Sequence, residues 1–341
     1  MNLDESPDAT SSASRREVWS SYWKQGALHS LEGSFTGGYG GSIRAFWTDV
    51  FAALRHDDRV LDVGTGNGPL PAMVCKLRGD APVQRIDAID LATVAPRWLD
   101  SAPAACRENI RFHGGVPAED LPFETGAFTL AVSQYGLEYS RLHQSIPELA
   151  RVLRPNGRIA LVMHHDHSRL AEVAGEESRL IDSLLSEDGL MPAASDVFPY
   201  LAKAAMGMQA ELVADPNAGQ ARTRYNVAIR ALETLSDRSA YPDILLETRE
   251  FVAQQIDGLF QSRLDLDAAQ AALASHVQAL ESSRFRSIEL RSHALSEAGM
   301  AELGRQLLAH GFEGIETQLI RQGPLLMGWT VRAGRGDAAT G

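Results

Sequence analysis

The residues best suited to chemistry are Val60-Leu61-Asp62-Val63-Gly64-Thr65-Gly66-Asn67-Gly68. An apolar strand runs into a turn with three alternating glycines, and a helical pattern from Pro69 to Leu77 follows. Such a unit is a cradle for a small polar cofactor. Glycine lacks a Cβ, so ligand and backbone can approach, and the free N–H groups of the helix start face the ligand. A dinucleotide fingerprint reads G-x-G-x-x-G. Here the third glycine comes one residue early and Pro69 stands in its place, which disfavours a nicotinamide cofactor. Asp90 ends a second apolar stretch, where a carboxylate can accept both ribose hydroxyls of a nucleoside.

A second cluster is Met163-His164-His165-Asp166-His167. It admits three readings: a zinc site, a buried structural pair, or a general base that takes a proton from a hydroxyl or amine. Neighbouring side chains of an extended chain point to opposite faces, so His164 and His165 diverge and no metal is expected. Tyr135, Glu138 and Tyr139 could position an acceptor, or be a loop acid with two packing aromatics. His164, His165 and Tyr135 are the candidate catalytic side chains. No Ser-His-Asp or paired-carboxylate signature is evident.

The G-x-G-x-G form after Asp62-Val63 resembles motif I of class I S-adenosylmethionine-dependent methyltransferases of the small-molecule type. Three further segments resemble that family's other motifs, in order. They are Gln84-Arg85-Ile86-Asp87-Ala88-Ile89-Asp90-Leu91, then Val116-Pro117-Ala118-Glu119-Asp120-Leu121-Pro122-Phe123 with Thr129 to Tyr135, and finally Glu148 to Arg158. The resemblance covers roughly residues 58–165 and, more faintly, 296–332. It implies S-adenosyl-L-methionine as cofactor, held by Asp62, Gly64, Thr65, Gly66, Asn67, Gly68, Asp90, Leu91, Pro117, Ala118, Glu119, Ser133 and Gln134. Asp62 is expected to orient the glycine turn and help hold the cofactor's ammonium. Two departures stand out. The Asp that meets the adenine amino group in many relatives is missing, so backbone groups or Glu119 would serve. Asn156 replaces a common glycine, a mild change because Asn tolerates left-handed turns.

These side chains need a scaffold. Strands near 59–63, 84–90, 110–112, 128–133 and 157–163 alternate with helices, which argues for a parallel sheet with right-handed crossovers. Residues 1–14 read as a disordered start and 15–57 as N-terminal helices with a flap. In that segment Trp19 and Trp23 are assigned to core and His29 to Tyr39 to the flap. Residues 58–165 form the cofactor-binding core. Long helical stretches from 166 to 282 (Ala171–Leu185, Ala218–Leu235, Ile244–Leu280) read as a cap inserted over the strand ends and roofing the acceptor pocket. Residues 283–333 return to the sheet, with a short strand at Phe285–Leu290, a helix at Glu297–His310 and a closing hairpin. Residues 334–341 read as a flexible tail. The expected fold is therefore α/β: a doubly wound, Rossmann-like seven-stranded sheet with a C-terminal antiparallel hairpin and a helical cap insertion.

Gross composition narrows the partners. The chain has 341 residues, 44% of them apolar, and a formal charge of −12 spread without acidic blocks. A protein that neutralises phosphates is not usually built this way, so nucleic acid is disfavoured. No apolar run approaches a membrane span and residues 1–15 lack an apolar signal core, so a cytoplasmic protein is expected. Two cysteines, Cys75 and Cys106, suggest neither a disulfide framework nor a cysteine zinc site. The expected reaction is methyl transfer to oxygen, nitrogen or carbon of a small molecule, such as a secondary metabolite. The sulfonium is already activated, so the protein mainly aligns the reactants and excludes water. A catalytically silent cofactor-binding subunit and a protein or tRNA methyltransferase are the alternatives. A homodimer through the cap is possible.

Overall fold

The computed structural model describes residues 9–27, 40–79 and 83–336, so the flap segment His29 to Tyr39 lies outside the described residues. The chain divides into two compact units. The first comprises residues 1–171 and 289–341, the second Glu172–Ile288.

The first unit is built on a seven-stranded sheet. Its strands are β1 (Arg59–Val63), β2 (Arg85–Asp90), β3 (Ile110–Gly114), β4 (Phe128–Gln134), β5 (Leu153–Met163), β6 (Phe312–Gln322) and β7 (Leu325–Arg335). The order across the sheet is β3-β2-β1-β4-β5-β7-β6. Five strands are parallel, and β7 runs antiparallel to both β5 and β6. This is the doubly wound sheet with a closing hairpin that the sequence implies. In β1 and β2 nearly every residue is buried, as expected where helices cover both faces of a parallel sheet. The strand order reverses beside β1, between β2 and β4. Ligands of open α/β sheets bind at the carboxyl ends of the strands at such a switch point.

The connections follow local chemistry. Helix α3 (Pro69–Arg78) begins with proline at its first turn, where no intrahelical N–H is needed. Helix α5 (Leu142–Val152) buries Ile146, Leu149 and Val152 against Leu153, Leu161, Phe312 and Val331 in one core. Asn156, inside β5, adopts φ 60°, the left-handed geometry that asparagine tolerates. Helix α12 (Glu297–Ala309) is capped by the Ser296 hydroxyl, which accepts from the Gly299 N–H.

Three expectations need correction in this unit. Helix α1 runs from Ala9 to Lys24, so helical structure begins inside the stretch read as disordered. Strand β7 continues to Arg335 and takes up the first two residues assigned to the tail. Cys75 of α3 and Cys106 of α4 (Ala104–Asn109) form a disulfide, with Cα atoms 5.8 Å apart. A cysteine count argues against a framework of bridges. It says nothing about one pair that the crossovers bring side by side.

The second unit is helical. Helices α6 (Arg169–Leu185), α7 (Leu190–Ala205), α8 (Gln209–Ala214), α9 (Pro216–Arg238), α10 (Asp243–Phe260) and α11 (Leu266–His293) supply it. Its core joins Ile181, Leu184, Phe198, Leu232, Val252 and Leu273. The stretch Ile244–Leu280 is two helices, broken where Ser262 takes φ 53°. Phe285–Leu290 is not a strand but the end of α11. Ser287 and Leu290, three apart, lie on one buried face there, and a short apolar run alone does not fix the period. Among the described residues, no helix is long and apolar enough to cross a membrane.

Candidate functional site

The glycine turn lies where the topology requires a ligand, at the carboxyl end of β1. Gly64, Gly66 and Gly68 all have positive φ, at 67°, 52° and 73°. All three are also close approaches. A Cβ on Gly64 would stand 2.8 Å from the Gly136 Cα, so the turn rests directly on the backbone after β4. A Cβ on Gly66 would stand 2.9 Å from the ring of Trp23, which lies over the turn from α1. The Thr65 N–H donates to the Ile89 carbonyl (2.9 Å), and the Asn67 amide nitrogen donates to the carbonyls of Trp23 (2.8 Å) and Ala27 (2.7 Å). The N-terminal helix is therefore tied to the turn by both backbone and ring.

Two buried carboxylates face this turn. Asp90 accepts from the Gly66 N–H (2.7 Å) with one oxygen and from the Ala92 N–H (2.8 Å) with the other. Asp62 accepts the Thr65 hydroxyl at 2.6 Å through Oδ2, whereas Oδ1 is buried with no partner. Burial pushes the Asp62 carboxyl up to about 7, with the charge of Asp90 adding to the effect and the Thr65 hydroxyl opposing it. Burial pushes Asp90 up to about 6 against its two backbone amides. A buried carboxylate oxygen without a donor is costly, and an ammonium group is the natural remedy. Each Asp90 oxygen also keeps a lone pair beyond its amide. The residues present thus suit a ligand carrying an ammonium and a ribose diol. Asp62, the Gly64–Gly68 turn and Asp90 would hold S-adenosyl-L-methionine.

The other sequence candidates divide. Leu91, Pro117 and Ala118 are half-buried around the loop after β3, which the Val116 N–H ties to the Asp90 carbonyl (3.0 Å). Glu119 accepts from the Arg141 N–H at 2.9 Å through one oxygen. Ser133 donates to the Val63 carbonyl (2.7 Å) and accepts from the Leu137 N–H (2.9 Å), joining β1 to the turn after β4. Gln134 accepts from the Trp47 indole at 2.6 Å. These contacts tie Ser133 and Gln134 to the scaffold. Trp98 and Phe112, which sequence reasoning missed, crowd Gly68 from below. A Cβ there would stand 2.6 Å from Phe112.

The histidines separate as the strand alternation requires. His165 stacks on Trp329 with centroids 4.7 Å apart. Its Nδ1 lies 2.9 Å from the His167 N–H and 2.8 Å from an Asp166 oxygen. The amide must donate, so Nδ1 is the acceptor and its approach to the carboxylate is no hydrogen bond, which leaves that oxygen unpartnered. Burial holds His165 below the usual imidazole range, with Asp166 opposing. His165 thus packs on Trp329 with its Nδ1 lone pair engaged by the His167 amide.

His164 differs. It is fully buried, and its backbone N–H (2.7 Å) and ring Nδ1 (2.8 Å) both meet Oε1 of Glu138 in the turn after β4. Its Nε2 is buried with no partner. Tyr135, at φ 54°, stacks on the His164 ring at 4.3 Å and donates its hydroxyl to the Met327 carbonyl (2.9 Å). Tyr135 thus lies against the His164 ring. Glu138 as partner of His164 was not legible, because 26 residues separate them in sequence. Among the described residues, no group of three or more His, Cys, Asp or Glu is arranged to hold a metal ion.

Residues 60–157 match the family model described as a methyltransferase domain. An uncharacterized methyltransferase of Mycobacterium tuberculosis is 30% identical over 131 residues, covering 38% of this chain and 48% of that one. The ubiquinone/menaquinone biosynthesis C-methyltransferase of Stutzerimonas stutzeri is 29% identical over 129 residues, covering 36% and 49%. The chain thus spans about half the length of the curated relatives it matches. Among solved structures, a geranyl diphosphate C-methyltransferase from Streptomyces coelicolor A3(2) is 20% identical, with a TM-score of 0.36 over 47% of this chain and 68% of that one. The chain carries a class I S-adenosylmethionine-dependent methyltransferase domain. S-adenosyl-L-methionine is the cofactor of that class.

Proposed function

We propose that the protein transfers the methyl group of S-adenosyl-L-methionine to a small-molecule acceptor. The observation that carries this reading is the unpartnered Oδ1 of buried Asp62 at the foot of the glycine turn. It asks for a cation where the family motif puts the ammonium of the cofactor. Asp90 suits the ribose, while Leu91, Pro117 and Ala118 suit the adenine. When bound, the sulfonium supplies an activated methyl group. The protein's share is then to orient the cofactor, to exclude water with Trp23 and its neighbours, and to hold the acceptor. The small-molecule class rests on the dispersed negative charge and on relatives whose names describe quinone-pathway methylation.

Calorimetry tests the cofactor directly. The protein should bind S-adenosylmethionine and its demethylated product but not NAD, and Asp62→Asn should weaken both. Tight NAD binding, or unchanged affinity in Asp62→Asn, would overturn the assignment. Gly66→Val is a poorer probe, because its side chain would collide with Trp23 as well as with the ligand.

A further inference from the structure

The cofactor half of the rim does not account for Glu138 and His164. A fully buried histidine bonded on one side to a buried glutamate, with its other ring nitrogen empty, is an incomplete hydrogen-bond chain. The direction of that chain follows from the atoms. Glu138 Oε1 accepts the His164 backbone N–H, so this oxygen acts as acceptor toward the ring as well. Nδ1 therefore carries the ring proton and Nε2 carries the lone pair. The tautomer is fixed with its basic nitrogen pointing away from the glutamate, the arrangement a base needs if it is to take a proton and have the resulting charge balanced.

Its position joins it to the cofactor turn. Glu138 sits two residues beyond Gly136, whose backbone touches Gly64 of the glycine turn. His164 is the first residue after β5, and β4 and β5 are neighbours in the sheet. Both groups thus stand on the same carboxyl-end rim as Asp62 and Asp90. The side chains around them leave the imidazole as the basic group. Tyr135 covers one face and spends its hydroxyl on Met327. Tyr139 meets the ring edge-on at 5.9 Å. Behind Tyr139 lie His293, stacked on it at 5.1 Å, and Arg15 of α1, which donates to the Tyr139 carbonyl (3.1 Å) and pairs with Glu289.

Resting on the methyl-transfer reading, we propose that His164 is the general base for the acceptor, that Glu138 is its positioning residue, and that the acceptor is therefore a hydroxyl compound, a phenol, enol or alcohol. The acceptor oxygen attacks the methyl carbon as its proton passes to Nε2. The C–O bond forms while the C–S bond breaks, and its electron pair stays on sulfur as a neutral thioether. The imidazolium so formed faces the Glu138 carboxylate, and the proton later leaves to solvent. A free amine or a thiolate carries its own nucleophilic lone pair and has less need of such a base.

The first measurement uses the cofactor-free protein. Nitrogen-15 resonances of labelled histidine should show His164 protonated on Nδ1 and bare on Nε2. Protonation on Nε2 would overturn the proposal. The second uses S-adenosylmethionine with a labelled methyl group and a panel of phenols, enols and alcohols beside matching amines and thiols. Labelled ethers should form, and His164→Ala should lower their rate by about 10²- to 10⁴-fold with cofactor affinity unchanged by calorimetry. Glu138→Gln should give a smaller fall and displace the acid limb of the kcat/KM profile toward lower pH. Methyl transfer that survives in His164→Ala, or label found only on carbon, nitrogen or sulfur, would overturn the proposal and leave the methyltransferase reading standing. Failure of the parent protein to bind S-adenosylmethionine would overturn that reading first.

Discussion

The rim above β1 and β2 and the rim above β4 and β5 each bury a carboxylate with one bare oxygen, and they differ in what meets the other oxygen. Asp62 accepts one hydroxyl and keeps a bare oxygen, and burial pushes its carboxyl up to about 7. Glu138 has Oε1 occupied by both a backbone N–H and an imidazole N–H; its Oε2 is bare like the Asp62 oxygen, and a further empty position lies on His164 Nε2. Read together, the first rim is a receptor for a cation that must come from outside. The second is a relay whose charge balance is already inside the protein. What distinguishes the second rim is the imidazole that extends its carboxylate to a second empty position.

The largest effect should come from the point where the two rims touch. Gly64 combines φ 67° with a Cβ position 2.8 Å from the Gly136 backbone. Gly64→Val adds left-handed strain of about 1–3 kcal/mol to overpacking of about 1–3 kcal/mol. Urea unfolding should register roughly the sum, and both cofactor binding and turnover should be lost together. A variant of parental stability would mean that the rims are independent.

The next effect separates the rims by pH. The native Asp62 carboxyl, near 7, lies above its ordinary value of 3.8, so the folded protein holds a proton that the unfolded chain has released. Stability of the cofactor-free protein should therefore fall as pH rises from about 4 to about 7, by on the order of 2–4 kcal/mol. Asp62→Asn should flatten that slope, and saturating S-adenosylmethionine should flatten it in the parent by supplying the cation. Thermal unfolding across this range is the check. A slope that persists in Asp62→Asn would assign it to Asp90, whose carboxyl is raised by the same burial.

The first rim was legible because its information is local. Asp62 and the three glycines sit within seven residues, and Asp90 closes the next strand, so spacing alone placed the turn and both acids. The parallel sheet was equally legible from the alternation of strands and helices, and the closing hairpin from the family resemblance, whereas the order of the strands came from the structure. The second rim was only half legible. Strand alternation separated His164 from His165, but nothing near His164 announces Glu138 at 26 residues' distance. Ser133, Gln134 and Glu119 lie where cofactor contacts were expected, yet Val63, Trp47 and Arg141 engage them first. The Cys75–Cys106 bridge and the placement of Trp23 over Gly66 are likewise products of the crossovers, which no window of sequence contains.

The smallest effect tests whether Asp90 is only part of the turn or also meets the ligand. Asp90→Ala removes acceptors for the Gly66 and Ala92 amides, so weaker cofactor binding in that variant is ambiguous by itself. A cycle resolves it: parent and variant are each titrated with S-adenosylmethionine and with its 2′-deoxy analogue. Loosening of the turn affects both ligands alike and cancels, leaving the coupling between the carboxylate and the 2′-hydroxyl. A charge-assisted hydrogen bond is worth about 1.5–3 kcal/mol, so the deoxy analogue should bind roughly tenfold or more weakly to the parent and nearly as well as the full cofactor to Asp90→Ala. Equal penalties in the two proteins would reduce Asp90 to a brace for the glycine turn, with the ribose held elsewhere.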